Sequence, residues 1–164
     1  MNEHISSHRG GFALGLTQIV ASGAADNPAR IGLAVLRLRA GETFEVQAAA
    51  ETAWLLMGGA VRGRAGEAPF EFKRSSLFDE SASCVHVSAG TRVAFEARED
   101  SEMTVYGCEN PRQFAARVFM PSQVPNEARG RGLVGERALR YVRTIFDRSN
   151  SPAEVELVLG EVVT

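Results

Sequence analysis

The chain has 164 residues, of which 45% are hydrophobic and 23% charged, and its formal net charge is −2 at pH 7. This composition is typical of a soluble globular domain and gives no general attraction to nucleic acid or to an anionic membrane. No segment approaches the ~20 apolar residues of a membrane-spanning helix, the N-terminus has no signal-peptide pattern, and Cys84 and Cys108 form no C-x-x-C motif. We therefore expect a reduced cytoplasmic protein with neither nucleic acid nor a membrane as a partner.

A β-strand periodicity dominates the chain from residue 31 to residue 120. Apolar and polar residues alternate there with a period of two, and Gly, Pro and acidic turns interrupt the alternation. The predicted strands cover residues 31–38, 52–57, 60–64, 70–73, 83–87, 92–97, 102–107 and 114–120. Short strands at this spacing predict an antiparallel sandwich or barrel, so the predicted fold class is all-β.

The last third of the chain has a different composition. Residues 121–135 are rich in Pro, Asn, Arg and Gly and predict an exposed loop or arm. Residues 136–146 fit either a short helix or a strand, and residues 154–164 are a β-rich segment that runs to the last residue. We predict one domain over residues 1–164, with a barrel meander over 31–120 and an arm over 121–164 that ends in a final strand. An exposed final strand favours pairing with a second copy, so we expect a homodimer.

Two segments resemble the motifs of the cupin superfamily. Gly41, Glu51 and Gly58 have the spacing of its first motif, and residues 87–93 (VSAGTRV) resemble its second motif, with Val93 at the place of the last metal-binding histidine. A metal-binding cupin carries a His-x-His pair shortly before the glutamate, whereas residues 44–49 here are Phe, Glu, Val, Gln and two Ala. The resemblance implies a cupin-like antiparallel barrel that holds no metal in this chain.

The C-terminal third narrows the resemblance to one family. Residues 129–132 (RGRG), 140–145 (RYVRTI) and 157–164 (LVLGEVVT) resemble motifs of the 5-deoxy-glucuronate isomerases of inositol catabolism, to which the uronate isomerases of pectin breakdown are related. Arg143-Thr144 replaces a His-Asn pair of that family. The resemblance implies aldose–ketose isomerisation of a deoxy-uronate with the help of a divalent metal.

The family resemblance also bears on the extent of the chain. Its members have two cupin domains with the metal in the second, and this chain ends where we expect the second domain to begin. We therefore expect the metal-free half of such an isomerase. The alternative is a non-catalytic cupin that binds a sugar acid or mediates dimerisation.

Few side chains are candidates for a functional site. Glu51, if buried beside apolar residues, would have a raised pKa and act as a general base; the simpler interpretation is a rim carboxylate that is left from a metal site and paired with an arginine. Arg129 and Arg140 match positions of the family and would face a uronate or another domain. The alternative is that both are solvated arm residues paired with nearby acids.

The three histidines offer no complete ligand set. His86 and Cys84 share one face of a predicted strand, which fits the start of a soft-metal site or, more simply, a partly exposed histidine beside a small buried cysteine. His4 and His8 lie in the N-terminal tail, where we expect solvated side chains rather than metal ligands.

Overall fold

The computed structural model describes residues 9–25, 27–135 and 137–164, so that His4 and His8 lie outside the described residues. The described ranges contain antiparallel strands and a short 3-10 turn, Pro121–Gln123, but no α-helix, and therefore no helix long and apolar enough to span a membrane. The predicted all-β fold is confirmed. The strands are β1 (Gly15–Val20), β2 (Ile31–Leu38), β3 (Thr43–Gln47), β4 (Glu51–Ala65), β5 (Ala68–Arg74), β6 (Cys84–Val87), β7 (Arg92–Ala97), β8 (Ser101–Cys108), β9 (Arg117–Phe119), β10 (Glu127–Arg129), β11 (Arg140–Phe146) and β12 (Leu159–Val163).

Two sheets that share β4 form the barrel. The main sheet has the order β1-β2-β8-β4-β6-β9, and the second sheet has the order β3-β7-β4-β5. The first part of β4 pairs with β6 and β8, and its second part pairs with β5 and β7. Gly59 lies at the transition with a φ of 97°, and a Cβ there would come within 2.3 Å of the Asp100 carbonyl oxygen, so only glycine fits this crossing.

An apolar core fills the space between the two sheets. Side chains of a strand alternate between its faces, and every second residue of each barrel strand points inward. The rings of Trp54 and Phe95 are 5.9 Å apart, and Phe70 lies 5.3 Å from Phe95. The buried members of this core are Ala34, Leu36, Leu38, Ala48, Trp54, Leu56, Val61, Ala65, Phe70, Phe72, Val85, Val87, Val93, Phe95, Ala97, Met103 and Val105.

A second apolar cluster covers the outer face of the main sheet. Ala53, Leu55 and Cys84 lie on that face, and the C-terminal arm packs on them through residues that include Ile145 and Phe146. The arm contains its own three-stranded sheet, β10-β11-β12. The arm is therefore packed against the barrel, and its segment 140–146 is a strand rather than a short helix.

The predicted strands agree with the structure in most of the barrel. β2 and β7 have the predicted bounds, but residues 52–57 and 60–64 are one continuous strand, because the two glycines between them form a bulge and not a turn. The predicted strands at 114–120 and 154–164 are shorter, Arg117–Phe119 and Leu159–Val163. β1, β3 and β10 were not predicted.

Candidate functional site

Glu51 lies on the outer face of the barrel, not in its interior. Alternate residues of a strand share a face, so Thr52 points inward with the core residue Trp54. Glu51 shares the opposite face with Ala53 and Leu55, which belong to the outer cluster. The side chain of Glu51 is fully buried beneath the arm and is not paired with an arginine among the described residues. The interpretation of Glu51 as a rim carboxylate paired with an arginine is therefore wrong.

Four nitrogen donors converge on the Glu51 carboxylate, and the Cys108 thiol also donates to Oε2, at 3.7 Å. Oε1 accepts from His86 Nε2 at 2.8 Å and from the Leu157 amide at 2.9 Å. Oε2 accepts from Asn110 Nδ2 at 2.6 Å and from the Glu156 amide at 3.0 Å. Burial by itself would raise the pKa of Glu51, but the hydrogen bonds from His86, Asn110 and the two amides lower it to about 2. The carboxylate therefore holds the arm as an ionised anchor, and so low a pKa makes it a weak general base at neutral pH.

His86 is completely buried rather than partly exposed, so that expectation is wrong. Its ring stacks on Phe146 with centroids 4.2 Å apart and an interplanar angle of 7°, and Phe114 closes the other side at 4.8 Å. Burial lowers the pKa of His86, opposed by its hydrogen bond to Glu51. A neutral ring that donates through Nε2 leaves Nδ1 as an acceptor, and Nδ1 has no partner among the described residues.

The two cysteines lie near the Glu51 carboxylate, but their thiols are not activated. Both are free and buried. Burial raises the pKa of the Cys84 thiol far above its usual range, and burial together with the Glu51 charge raises the pKa of Cys108 to about 12. Because the thiolate is the nucleophilic and metal-binding form, neither side chain is prepared for catalysis or for a soft-metal site with His86.

The interior positions that match the cupin metal ligands are apolar. Phe44 and Val46 of β3 point toward the core, and Val46 lies directly opposite Val93 of β7. The structure thus brings together the two strands that carry ligands in a metal-binding cupin. A metal requires nitrogen, oxygen or sulfur ligands, and the described residues contain no group of three or more His, Cys, Asp or Glu side chains that could hold one. The residues of this interior do not fit the divalent metal that the family resemblance implies.

Arg129 and Arg140 lie opposite each other on β10 and β11 and are exposed. Arg129 pairs with Glu127 at 2.8 Å. Because the arm packs on the outer face of the barrel, neither arginine reaches the barrel interior. Their assignment to uronate binding stays a prediction.

The sequence did not predict the buried arginine pair Arg74 and Arg143, which shares one carboxylate partner. Both guanidinium groups contact Glu161 Oε1, at 2.6 and 2.9 Å. Arg143 also donates to the carbonyl oxygens of Leu77 and Glu80 at 2.8 and 2.7 Å. The pair therefore ties the β5–β6 loop to the arm. The alternation of β11, which places Arg143 on the face of buried Ile145, was the available signal.

The barrel interior retains a cavity of about 270 Å³ near β1. Its lining includes exposed residues of β1 and of the loop after β3, and Trp54 and Val105 form part of its wall. The lining residues are Leu16, Gln18, Ala21, Ser22, Gly32, Ala34, Phe44, Val46, Ala48, Ala49, Ala50, Thr52, Trp54, Val105 and Gly107.

Comparison with known proteins agrees with this architecture. The model of the KduI/IolB family matches residues 8–164, whereas no curated protein matches the sequence. The crystal structure of an IolB-like protein from Salmonella typhimurium LT2 is similar with a TM-score of 0.68 and 23% identity, over 86% of this chain and 53% of that chain. A cupin superfamily protein from Desulfitobacterium hafniense DCB-2 has a TM-score of 0.44 and 11% identity, over 60% of this chain and 84% of its own. The chain thus spans about half the length of the IolB-like structure, and the first likeness shows a shared fold.

Proposed function

Because the chain belongs to the KduI/IolB family, the family of 5-deoxy-glucuronate isomerases, we propose that it forms the metal-free cupin half of such an isomerase. The proposed reaction of the complete protein is the aldose–ketose isomerisation of a deoxy-uronate in inositol catabolism. In this proposal the chemistry takes place outside the barrel described above, and the present domain supports the catalytic one.

The observation that carries the proposal is the apolar character of the ligand positions. Phe44, Val46 and Val93 point into the core where a metal-binding cupin presents histidines. A divalent cation among these side chains would lose its hydration and gain no ligands, which costs far more than the barrel's stability supplies. The apolar side chains at these positions therefore favour a structural role for the barrel.

Metal analysis of the purified chain tests the proposal, together with an isomerase assay using 5-deoxy-glucuronate. After incubation with Mn²⁺, Fe²⁺ or Zn²⁺ and desalting, we expect no stoichiometric metal and no turnover. The triple variant Phe44→His, Val46→His and Val93→His is the positive control, because it places three nitrogen ligands together: Phe44 and Val46 share one face of β3, and Val46 lies opposite Val93 of β7. One equivalent of metal on the unaltered chain, or turnover by it, would overturn the proposal.

A second candidate function, assembly of a homodimer, rests on β12. Among the described residues this strand pairs only with β11, so its other edge is free, and Val162 is 59% exposed. A free edge with an exposed β-branched residue favours strand addition. We expect a dimer in light scattering and a shift to monomer in Val162→Lys. A monomer at all concentrations would contradict this function.

A further inference from the structure

Two glycines on neighbouring strands line the cavity in the barrel interior, and one of them leaves space for a guest. Gly32 of β2 and Gly107 of β8 are direct partners in the main sheet, and Thr52 of β4 is the partner of Gly107 on the other side. A glycine inside a strand often marks a close approach by a backbone or a ligand. At Gly32 the approach is by backbone, since a Cβ would lie 3.0 Å from the Ser22 nitrogen. At Gly107 a Cβ would meet nothing closer than 3.6 Å, so the absent side chain leaves space.

The wall of the cavity is apolar at depth, and its more exposed part combines apolar side chains such as Leu16 with polar ones. Trp54 and Val105 are 3% and 9% exposed, whereas Gln18 is exposed and Thr52 is half-buried. None of the lining side chains carries a charge. A carboxylate inside would therefore lose its hydration without a compensating cation.

Two of the three polar side chains that line the cavity, Gln18 and Thr52, are available as acceptors, and the third is Ser22. Gln18 Nε2 donates to the carbonyl oxygens of Val20 and Leu33, at 2.5 and 3.1 Å, and Thr52 Oγ1 donates to that of Ala50 at 2.9 Å. Their donor hydrogens are thus used within the protein, while their oxygens retain lone pairs. A guest with one hydroxyl donor and an apolar body matches this distribution.

Water is a poor occupant of the deeper part of this cavity. About 270 Å³ corresponds to roughly nine waters at liquid density, and a buried water needs two to four polar partners. The apolar wall cannot supply them, so displacement of such waters by an apolar group favours binding. The volume limits the guest to a small molecule.

We propose that this cavity binds a small, neutral, largely apolar alcohol or phenol, with its apolar body against Trp54 and Val105 and its hydroxyl at Gln18 and Thr52. The site differs in chemistry from a sugar-acid site, and it does not depend on the proposed isomerase role of the complete protein. Its failure and the failure of that role are distinguishable, because metal content and turnover do not report on this cavity.

Titration with benzyl alcohol tests the proposal, with D-glucuronate as the charged comparison. Trp54 is the only tryptophan of the chain, so its fluorescence reports directly on the wall of the cavity. We expect a saturable change in Trp54 emission with benzyl alcohol, at a Kd on the order of 1 mM, and none with glucuronate. A saturable response to glucuronate alone, or no saturable response to benzyl alcohol, would overturn the proposal.

Gly107→Val is the decisive variant, because the new side chain enters the cavity from a position where a Cβ makes only ordinary contacts. We expect at least tenfold weaker binding of benzyl alcohol. Thr104→Val introduces the same residue on the outer face of the same strand and should bind within twofold of the unaltered chain. Equal binding by both variants would place the probe elsewhere and refute the site.

A measurement on the unaltered chain makes the test independent of how the variants fold. In methyl NMR spectra, benzyl alcohol should shift the methyl signals of Leu16, Val46 and Val105, which line the cavity. The methyl signals of Leu159, in the outer cluster, should stay in place. Shifts confined to the outer cluster would contradict the proposal.

Discussion

Replacement of Glu51 by glutamine tests whether this carboxylate anchors the arm. The substitution preserves shape and removes the charge and one acceptor oxygen. The glutamine oxygen can accept from two of the four nitrogen donors, whereas its amide group faces the other two. If the glutamine NH2 group occupies the position of Glu51 Oε1, His86 Nε2 and the Leu157 amide lose their acceptor. If the NH2 group occupies the position of Oε2, Asn110 Nδ2 and the Glu156 amide lose their acceptor.

The cost of the substitution follows from the lost hydrogen bonds and, equivalently, from the pKa shift that these hydrogen bonds cause. A buried hydrogen bond that loses a charged partner costs about 1–3 kcal/mol, so two such losses cost roughly 3 kcal/mol or more. A carboxyl whose pKa falls from 4.5 in the unfolded chain to about 2 on folding contributes about 3 kcal/mol at neutral pH. That contribution is present above pH 4.5 and disappears as the pH falls toward 2. For a domain of this size, 3 kcal/mol lowers Tm by about 10 °C.

Urea denaturation and thermal melting at pH 7 measure this effect. Glu154→Gln is the matched control, because Glu154 is an exposed carboxylate on the same arm, and we expect its stability to stay within ~0.5 kcal/mol of the unaltered chain. Hydrogen exchange should also become faster at the amides of residues 156 and 157 in Glu51→Gln. A melting temperature within 2 °C of the control would refute the anchor.

Three further predictions concern the buried polar groups. Burial lowers the pKa of His86 from 6.5, so the free energy of unfolding should fall as the pH decreases below that value. In urea titrations, His86→Gln should flatten this pH dependence between pH 6.5 and 5. An unchanged pH dependence in the variant would contradict the prediction. Glu161→Gln leaves the buried arginine pair without its counter-charge and should lower the free energy of unfolding, measured by urea denaturation, by about 3 kcal/mol. A decrease below ~0.5 kcal/mol would show that the backbone carbonyl oxygens alone stabilise the two guanidinium groups. Cys84 and Cys108 should react with iodoacetamide at pH 8 only after denaturation, because burial raises both pKa values; rapid labelling of the folded chain would show that the arm opens.

The barrel was largely predictable, because its signals are local. Alternation fixed the bounds of β2 and β7, and the apolar face of each strand faces the core as expected. The join within β4 was not predictable, since Gly58-Gly59 signals a turn and a bulge equally well. β1 was not predicted, because it is an edge strand whose residues are all at least partly exposed and therefore lack a strong apolar alternation.

The site was predictable only in part, because its decisive contacts are distant in sequence. Alternation along residues 51–57 already opposes Glu51 to Trp54, yet it does not tell which face the arm will cover. The Glu51 carboxylate accepts from amides 105 and 106 residues further along the chain. The spacing from Glu51 to Gly58 therefore fits a cupin motif while the glutamate serves another purpose. Val93, by contrast, occupies the interior position that its motif predicts.

The attachment of the arm combines apolar packing with buried charges, and the two have different consequences. Apolar contacts such as those of Ile145 and Phe146 stabilise the arm but tolerate sliding, because any apolar surface satisfies them. The Glu51 carboxylate and the buried arginine pair are satisfied in one register alone, since any displacement leaves a desolvated charge without its partners. Two such anchors, one at residues 156–157 and one at Arg143 and Glu161, fix both the position and the direction of the arm.

A domain whose proposed role is support requires this kind of attachment, because it presents the arm surface in a single orientation. The double variant Glu51→Gln and Glu161→Gln should therefore retain the barrel, with Trp54 emission unchanged, while exchange at the arm amides rises; loss of both together would show that arm and barrel form one cooperative unit.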